Sequence, residues 1–93
     1  EYKNQLDGFR QKIDNSDQLL LEILGKRMDV AEKIGLLKKS NNVAVLQNKR
    51  WNEILGKMIL EGQDRELSEE FILRVFKAIH QESINKQEKI LNS

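Results

Sequence analysis

Residues 24–39 read LGKRMDVAEKIGLLKK, and this stretch places cations where the apolar face of a helix is expected. At helical spacing, one face carries the apolar residues Val30, Ala31, Ile34 and Leu37. Arg27 lies on that same face, and Lys38 lies at its far end. A buried cation is destabilising unless it is paired, so both side chains require an anionic partner.

The quoted stretch ends a longer periodic segment that covers about residues 3–39. Two rows of side chains recur at every seventh position of this segment. One row is Leu6, Ile13, Leu20, Arg27 and Ile34, and the other is Phe9, Ser16, Ile23, Val30 and Leu37. Such heptad spacing over about five repeats predicts one long helix. The residues DNSD at 14–17 favour caps and turns, but the rows keep their phase across them, so we expect the helix to continue.

A second, shorter helix is expected at about residues 46–61. It follows the loop SNNVAV at 40–45, in which Asn41 and Asn42 are the expected helix stops. Gly62 comes directly after the predicted helix and is its expected C-cap, because glycine adopts the left-handed conformation that ends many helices.

A third helix is predicted at about residues 67–91. Ser68 is its expected N-cap, and the two glutamates that follow suit the positive end of a helix dipole. The sequence has no proline, is rich in Leu, Ile, Glu, Lys and Gln, and lacks the alternating pattern of strands. We therefore expect a single all-α domain of three helices over residues 1–93.

The composition excludes several classes of function. Lys and Arg number 16 against 15 acidic residues, so the chain lacks the basic excess of a nucleic-acid binder. No apolar run approaches the roughly 18 residues of a membrane span, and no signal peptide is visible, so we expect a cytoplasmic protein. Because the chain begins at Glu1 rather than Met, we expect either a trimmed product or one domain of a longer protein.

The predicted first helix is too long for one small domain. At a rise of 1.5 Å per residue, its length is roughly 55 Å, whereas a compact domain of this size has a radius of gyration of about 12 Å. The two later helices are too short to cover the whole apolar stripe. We therefore expect an intertwined homodimer, in which one long helix packs against the other.

Polar residues on the inward rows indicate a binding site. Four of them are cations, Arg10, Arg27, Lys38 and Arg50, whereas Asp17 is the only acid evident on these rows. The inward row of the third helix also contains Ser83 and Gln87. Arginine binds carboxylates in a bidentate manner, so several converging arginines favour an anionic ligand with more than one carboxylate. A plain dimerisation module, with the arginines reaching the solvent at its rim, is the alternative that the pattern leaves open.

Other chemistry receives no support from the sequence. His80 has no second His or Cys near it, so we interpret it as structural, and Trp51 as a packing residue unless it forms a wall of the site. There is no phosphate-binding loop, no nucleophile–base pair and no pair of acids. We therefore expect neither a metal nor a cofactor.

Three segments resemble the all-helical class of chorismate mutase. They are LDGFRQKIDNSDQLLLEILGKRMDVAEKIGLLKK at 6–39, RWNEILGKMI at 50–59 and LSEEFILRVFKAIHQESINKQ at 67–87. The resemblance covers about residues 6–87 without gaps and depends on the order and spacing of the elements. It implies a domain-swapped dimer that converts chorismate to prephenate. In this dimer each of two sites receives an arginine, here Arg10, from the partner's long helix.

The resemblance also implies roles for the other polar residues. Arg27 and Arg50 would hold the two carboxylates of the substrate, with Ser83 near one of them. Lys38 and Gln87 would bind the ether oxygen of chorismate. Because the Claisen rearrangement is unimolecular, conformational restriction and electrostatic stabilisation are all that the protein would have to supply.

Two positions depart from the family pattern. Several members carry carboxylates at the positions of Gln47 and Trp51, where they help to hold the ring hydroxyl of the substrate. The amide of Gln47 can still accept a hydrogen bond, whereas the indole of Trp51 can only donate one. We therefore expect Gln47, with backbone groups, to bind the hydroxyl.

Two alternatives fit the same resemblance. An isochorismate-pyruvate lyase uses a similar fold and anion clamp, and the loop at 40–45 and the region of Gln47 would decide between the two substrates. The chain could also be a regulatory or dimerisation domain of a fused shikimate-pathway enzyme, one that binds prephenate as a signal.

Overall fold

The computed structural model describes residues 1–45 and 48–93. Three helices occupy most of them: α1 is Tyr2–Ser40, α2 is Asn48–Asp64 and α3 is Glu69–Leu91. No strand occurs in either described range. The prediction of an all-α chain of three helices is confirmed, and the predicted start of the second helix at 46 lies outside the described residues.

The first helix is continuous through its polar segment. α1 contains 39 residues and crosses the DNSD segment at 14–17 without interruption. Ser16 Oγ donates to the carbonyl of Lys12, one turn earlier, at 3.0 Å. Gln11 Nε2 donates to Asn15 Oδ1 at 3.0 Å. These bonds stay within the helix and satisfy side chains that otherwise favour turns, so the predicted continuity is confirmed.

The chain divides into two compact units, Glu1–Val30 and Ala31–Ser93. The first unit consists of helix α1 alone after its first residue. Its heptad rows leave large apolar side chains more than half exposed: Phe9 61%, Ile13 60%, Leu20 54% and Ile23 61%. An apolar helix face of this kind is typical of a surface that packs against another helix.

The second unit combines the last turns of α1 with α2 and α3. Among its described residues, the buried apolar side chains are Ala31 and Ile72, each 4% exposed. α2 and α3 pack against each other along this unit. Among the described residues, no helix combines the length and the apolar character needed to cross a membrane.

The prediction that Gly62 caps α2 is wrong, because Gly62 lies inside the helix. A Cβ at this position would lie 2.7 Å from Cγ1 of Ile72, so the glycine permits a close approach of α3. The helix ends instead through Glu66, whose φ is 60°. Glu66 N donates to the Gln63 carbonyl at 3.0 Å. Leu67 N donates to the Gly62 carbonyl at 2.9 Å, which completes a Schellman motif without glycine at its left-handed position.

Two other predicted features, the stop of α1 at Asn42 and the N-cap of α3 at Ser68, are confirmed by hydrogen bonds. Asn42 follows α1 with a φ of 55°, and Val43 N donates to the Lys38 carbonyl at 2.9 Å. This is the same Schellman geometry, with the asparagine that tolerates it. At the start of α3, Ser68 Oγ accepts from Phe71 N at 3.3 Å.

Candidate active site

The centre of the candidate site is a hydrogen bond between α1 and α3. Lys38, in the last turn of α1, donates from Nζ to Gln87 Oε1 at 2.9 Å. The same ammonium group donates to the Val45 carbonyl at 2.7 Å, which ties the loop after α1 to the site. Partial burial lowers the pKa of Lys38 below its ordinary value of 10.5, because desolvation disfavours the charged form. An ammonium group has three protons, so the two bonds leave one for a ligand.

Gln87 lies in α3 and is only 8% exposed. Because an ammonium group can only donate, the bond from Lys38 fixes the carbonyl oxygen of the Gln87 amide on the lysine side. The amide NH₂ must then point away from Lys38, and no described residue accepts a hydrogen bond from it. The arrangement therefore places two donors side by side, one cationic and one neutral, each with a proton to offer a ligand.

Glycine makes this contact possible. Gly35 is buried one turn before Lys38 on the same side of α1. A Cβ at Gly35 would lie 3.0 Å from Gln87 Cα and 3.3 Å from Gln87 Cγ. The two helices can therefore approach closely enough for the lysine to reach the amide. Gly35 was not predicted as a site residue, although a glycine one turn from an inward lysine is a signal that could have indicated its role.

Ser83 lies one turn before Gln87 on α3 and is 7% exposed. Its Oγ donates to the Ile79 carbonyl of its own helix at 3.0 Å. This bond directs the hydroxyl proton along the helix, toward the preceding turn. The predicted placement of Ser83 and Gln87 on the inward row of the third helix is confirmed by their burial.

Aromatic rings connect the first turn of α2 to α3. The rings of Trp51 and His80 are stacked, with centroids 4.1 Å apart and an angle of 15° between their planes. Both side chains are half-buried. Both residues were interpreted from the sequence as structural. Their contact was not predicted, because a pair of single residues on different helices leaves no periodic signal in the sequence.

The structure of the second unit, Ala31–Ser93, does not bring the other predicted site residues into contact with Lys38 and Gln87. Arg50 is exposed in the first turn of α2, and no described acid forms a salt bridge with it. Arg10 is exposed and Arg27 half-buried, and both belong to the other unit, Glu1–Val30. Gln47 lies outside the described residues. In the described ranges, no three His, Cys, Asp or Glu side chains are grouped so that they could hold a metal ion.

Relatives of this chain share one description. The chain is 34% identical over 88 residues to the bifunctional chorismate mutase/prephenate dehydratase of Buchnera aphidicola subsp. Acyrthosiphon pisum, which is 95% of this chain and 23% of that protein. It is 29% identical over 89 residues to the protein of the same description from Escherichia coli K12, which is 96% of this chain and 23% of that protein. The chain thus spans about a quarter of the length of the curated relatives it matches.

The fold is that of an all-helical domain that holds a lysine–glutamine pair between two of its helices. Residues 9–88 match the family described as chorismate mutase type II. The chain belongs to this family, and the resemblance from which the site residues were predicted is confirmed.

The Lys38–Gln87 bond predicts an energetic coupling that a double-mutant cycle can measure. Lys38→Met should lower the free energy of unfolding by about 1–3 kcal/mol, because it leaves the buried Gln87 carbonyl without its donor. Once Gln87→Met has removed that acceptor, the same lysine substitution should cost less, with a coupling of about 0.5–3 kcal/mol. Urea unfolding of the four proteins gives this value.

Lys39 provides the matched control, since it is the adjacent lysine on α1. Its Nζ donates to the carbonyls of Ile90 and Ser93 at the exposed end of α3, at 3.3 and 2.6 Å. Lys39→Met should therefore show no coupling to Gln87→Met. Equal coupling of both lysines to Gln87 would mean that the cycle reports a general loss of stability rather than this bond.

Proposed function

We propose that this chain catalyses the rearrangement of chorismate to prephenate at the site formed around Lys38 and Gln87. The proposal is supported by membership of the chorismate mutase type II family. The structural observation that carries it is the Lys38 Nζ–Gln87 Oε1 bond of 2.9 Å, which orients two donors next to each other. Two donors at one point suit a reaction in which negative charge develops on a single oxygen atom.

The chemistry requires only positioning and electrostatic stabilisation. In the rearrangement the ether carbon–oxygen bond breaks while a carbon–carbon bond forms between the enolpyruvyl arm and the ring. The ether oxygen gains negative charge as its bond to the ring breaks. The remaining proton of the Lys38 ammonium and the Gln87 amide donate to that oxygen, and both are stronger donors to the transition state than to the neutral ether. Gln87 is neutral and needs no protonation to do this.

The two carboxylates of the substrate require cations as well. Arg10, Arg27 and Arg50 supply them, and they hold the molecule with its arm folded over its ring. Arg50 belongs to the same compact unit as Lys38 and Gln87 and is exposed, so its guanidinium is accessible to a carboxylate. Restricting the substrate to this folded conformation removes much of the entropic part of the barrier.

The active form in this proposal is a domain-swapped homodimer, with Arg10 acting in the site of the partner chain. The support is the exposed apolar stripe of Glu1–Val30, which includes Phe9 at 61% and Ile23 at 61% exposed. A second copy of the same helix has the same heptad rows and covers this stripe. The relatives are named bifunctional enzymes, so we also propose that a prephenate dehydratase acts with this domain, fused to it or associated with it.

Incubation of the purified chain with chorismate tests the activity. Loss of chorismate is followed by its ultraviolet absorbance, and the product is identified by NMR. Prephenate as the product supports the proposal, whereas no turnover would contradict it. Offering isochorismate in a parallel reaction tests the lyase alternative, for which release of pyruvate would be the signature.

The donation of Arg10 between chains predicts complementation of two inactive variants. Arg10→Ala and Arg27→Ala should each be at least about 100-fold slower than the wild-type chain, since each loses a charged hydrogen bond to a carboxylate. Refolding the two together forms mixed dimers, in which one of the two sites draws both arginines from intact copies. Random pairing should therefore restore about a quarter of the wild-type rate.

The measurement is the rate of chorismate loss after co-refolding, with the mixed dimer demonstrated by mass spectrometry. A mixture of Arg10→Ala with itself, refolded in the same way, is the control and should stay inactive. If mixed dimers form and activity does not return, Arg10 serves the site of its own chain.

A further inference from the structure

The rings of Trp51 and His80 are stacked between α2 and α3. Their centroids are 4.1 Å apart and their planes are within 15° of parallel. Trp51 belongs to the first turn of α2, and His80 belongs to α3. The stack is therefore a direct side-chain contact between the beginning of α2 and the helix that carries Gln87.

The spacing along α3 places His80 on the same face as the buried polar residues. His80, Ser83 and Gln87 occupy positions i, i+3 and i+7, which align on one side of a helix. Ser83 and Gln87 are both buried in this unit, at 7% and 8% exposed. The stack consequently lies two turns along α3 from the lysine–glutamine pair, on the same face.

Arg50 immediately precedes Trp51, in the same turn of α2. The first turn of a helix lacks half of its internal hydrogen bonds and is prone to fraying, so a side chain there has no fixed position unless the turn is anchored. No described acid forms a salt bridge with Arg50, so no ion pair anchors it. The anchor that the structure does show at this turn is the indole of Trp51 on the imidazole of His80.

We propose that Trp51 and His80 are positioning residues for Arg50: their stack holds the first turn of α2 so that the Arg50 guanidinium is ready to bind a carboxylate of the substrate. This inference rests on the proposed function, in which Arg50 binds such a carboxylate. It adds two residues to the site that neither contact the reacting atoms nor carry the charge that binds substrate.

The expected effect is on substrate binding rather than on the chemical step. His80→Ala should raise KM by about three- to tenfold, the range that corresponds to loss of an aromatic stack. It should change kcat less than twofold, because Arg10 and Arg27 still hold the bound substrate in its folded conformation and the Lys38 and Gln87 donors are untouched. His80→Phe keeps a flat ring and should retain a KM close to that of the wild-type chain. His80→Leu fills similar space without a flat ring and should resemble His80→Ala.

A cycle with Arg50→Ala tests whether the stack acts through Arg50. Once Arg50 is absent, His80→Ala should not raise KM further, since there is no guanidinium left to position. The spectroscopic readout is the fluorescence of Trp51, which is the only tryptophan of the chain. Its emission should shift to longer wavelength in His80→Ala and His80→Leu, and stay near that of the wild type in His80→Phe.

The outcomes separate this inference from the proposed function. No turnover of chorismate by the wild-type chain would overturn both. Wild-type turnover with an unchanged KM in His80→Ala would overturn the inference alone, and so would a His80→Leu variant that binds substrate as well as His80→Phe. A His80→Ala effect on KM that persists in full without Arg50 would also overturn it. If His80→Ala does not fold, as judged by circular dichroism, the comparison of the Leu and Phe variants decides.

Discussion

The hydrogen bond from Lys38 to Gln87 is the contact on which the rest of the site depends. It joins the last turn of α1 to α3 at 2.9 Å and fixes which end of the glutamine amide faces the lysine. Gly35 permits the close approach of the two helices at this point, where a Cβ would lie 3.0 Å from Gln87 Cα. Gly35 on α1 thus helps to set the position of Gln87 on α3. Close packing at this one contact can keep the Gln87 amide in a fixed position in a domain with few buried residues.

The proposed function would account for the cations on the apolar face of α1. Burial lowers the pKa of Lys38, so its charged form is destabilised when no ligand is bound. In the proposed reaction, the negative charge that develops on the ether oxygen would stabilise this charged form. In the proposed function, Arg10 and Arg27 of the first unit bind the carboxylates of a dianionic substrate. At these positions, leucine would give a more stable core, whereas the proposed activity requires charged or polar side chains. Stability is therefore lower than an apolar core would provide.

The sequence predicted the helices and the polar face of α3, because both follow from periodicity. The heptad rows predicted that α1 continues through residues 14–17, as it does. The capping preferences of Ser68 and Asn42 predicted two helix boundaries. Two features were not predicted correctly from the sequence. Gly62 lies against Ile72 rather than at a helix end, and the Trp51–His80 stack was not predicted. Both failures concern contacts between helices, which depend on three-dimensional approach and leave no pattern along a single helix. For the same reason the joint placement of the three arginines stays a prediction.

The central claim is that the Gln87 amide donates to the ether oxygen, and the pH dependence of Gln87→Glu tests it most directly. Glutamate keeps the length of the side chain and can still accept from Lys38, but it donates only when protonated. At pH 7 the rate should be roughly 100-fold below wild type, because the ionised group faces the growing negative charge. The rate should rise as the pH falls toward the glutamate pKa, ordinarily about 4.3, while the wild-type profile stays flat and Gln87→Ala stays slow throughout. A Gln87→Glu chain with the wild-type rate and a flat profile would show that Gln87 does not touch the reacting oxygen.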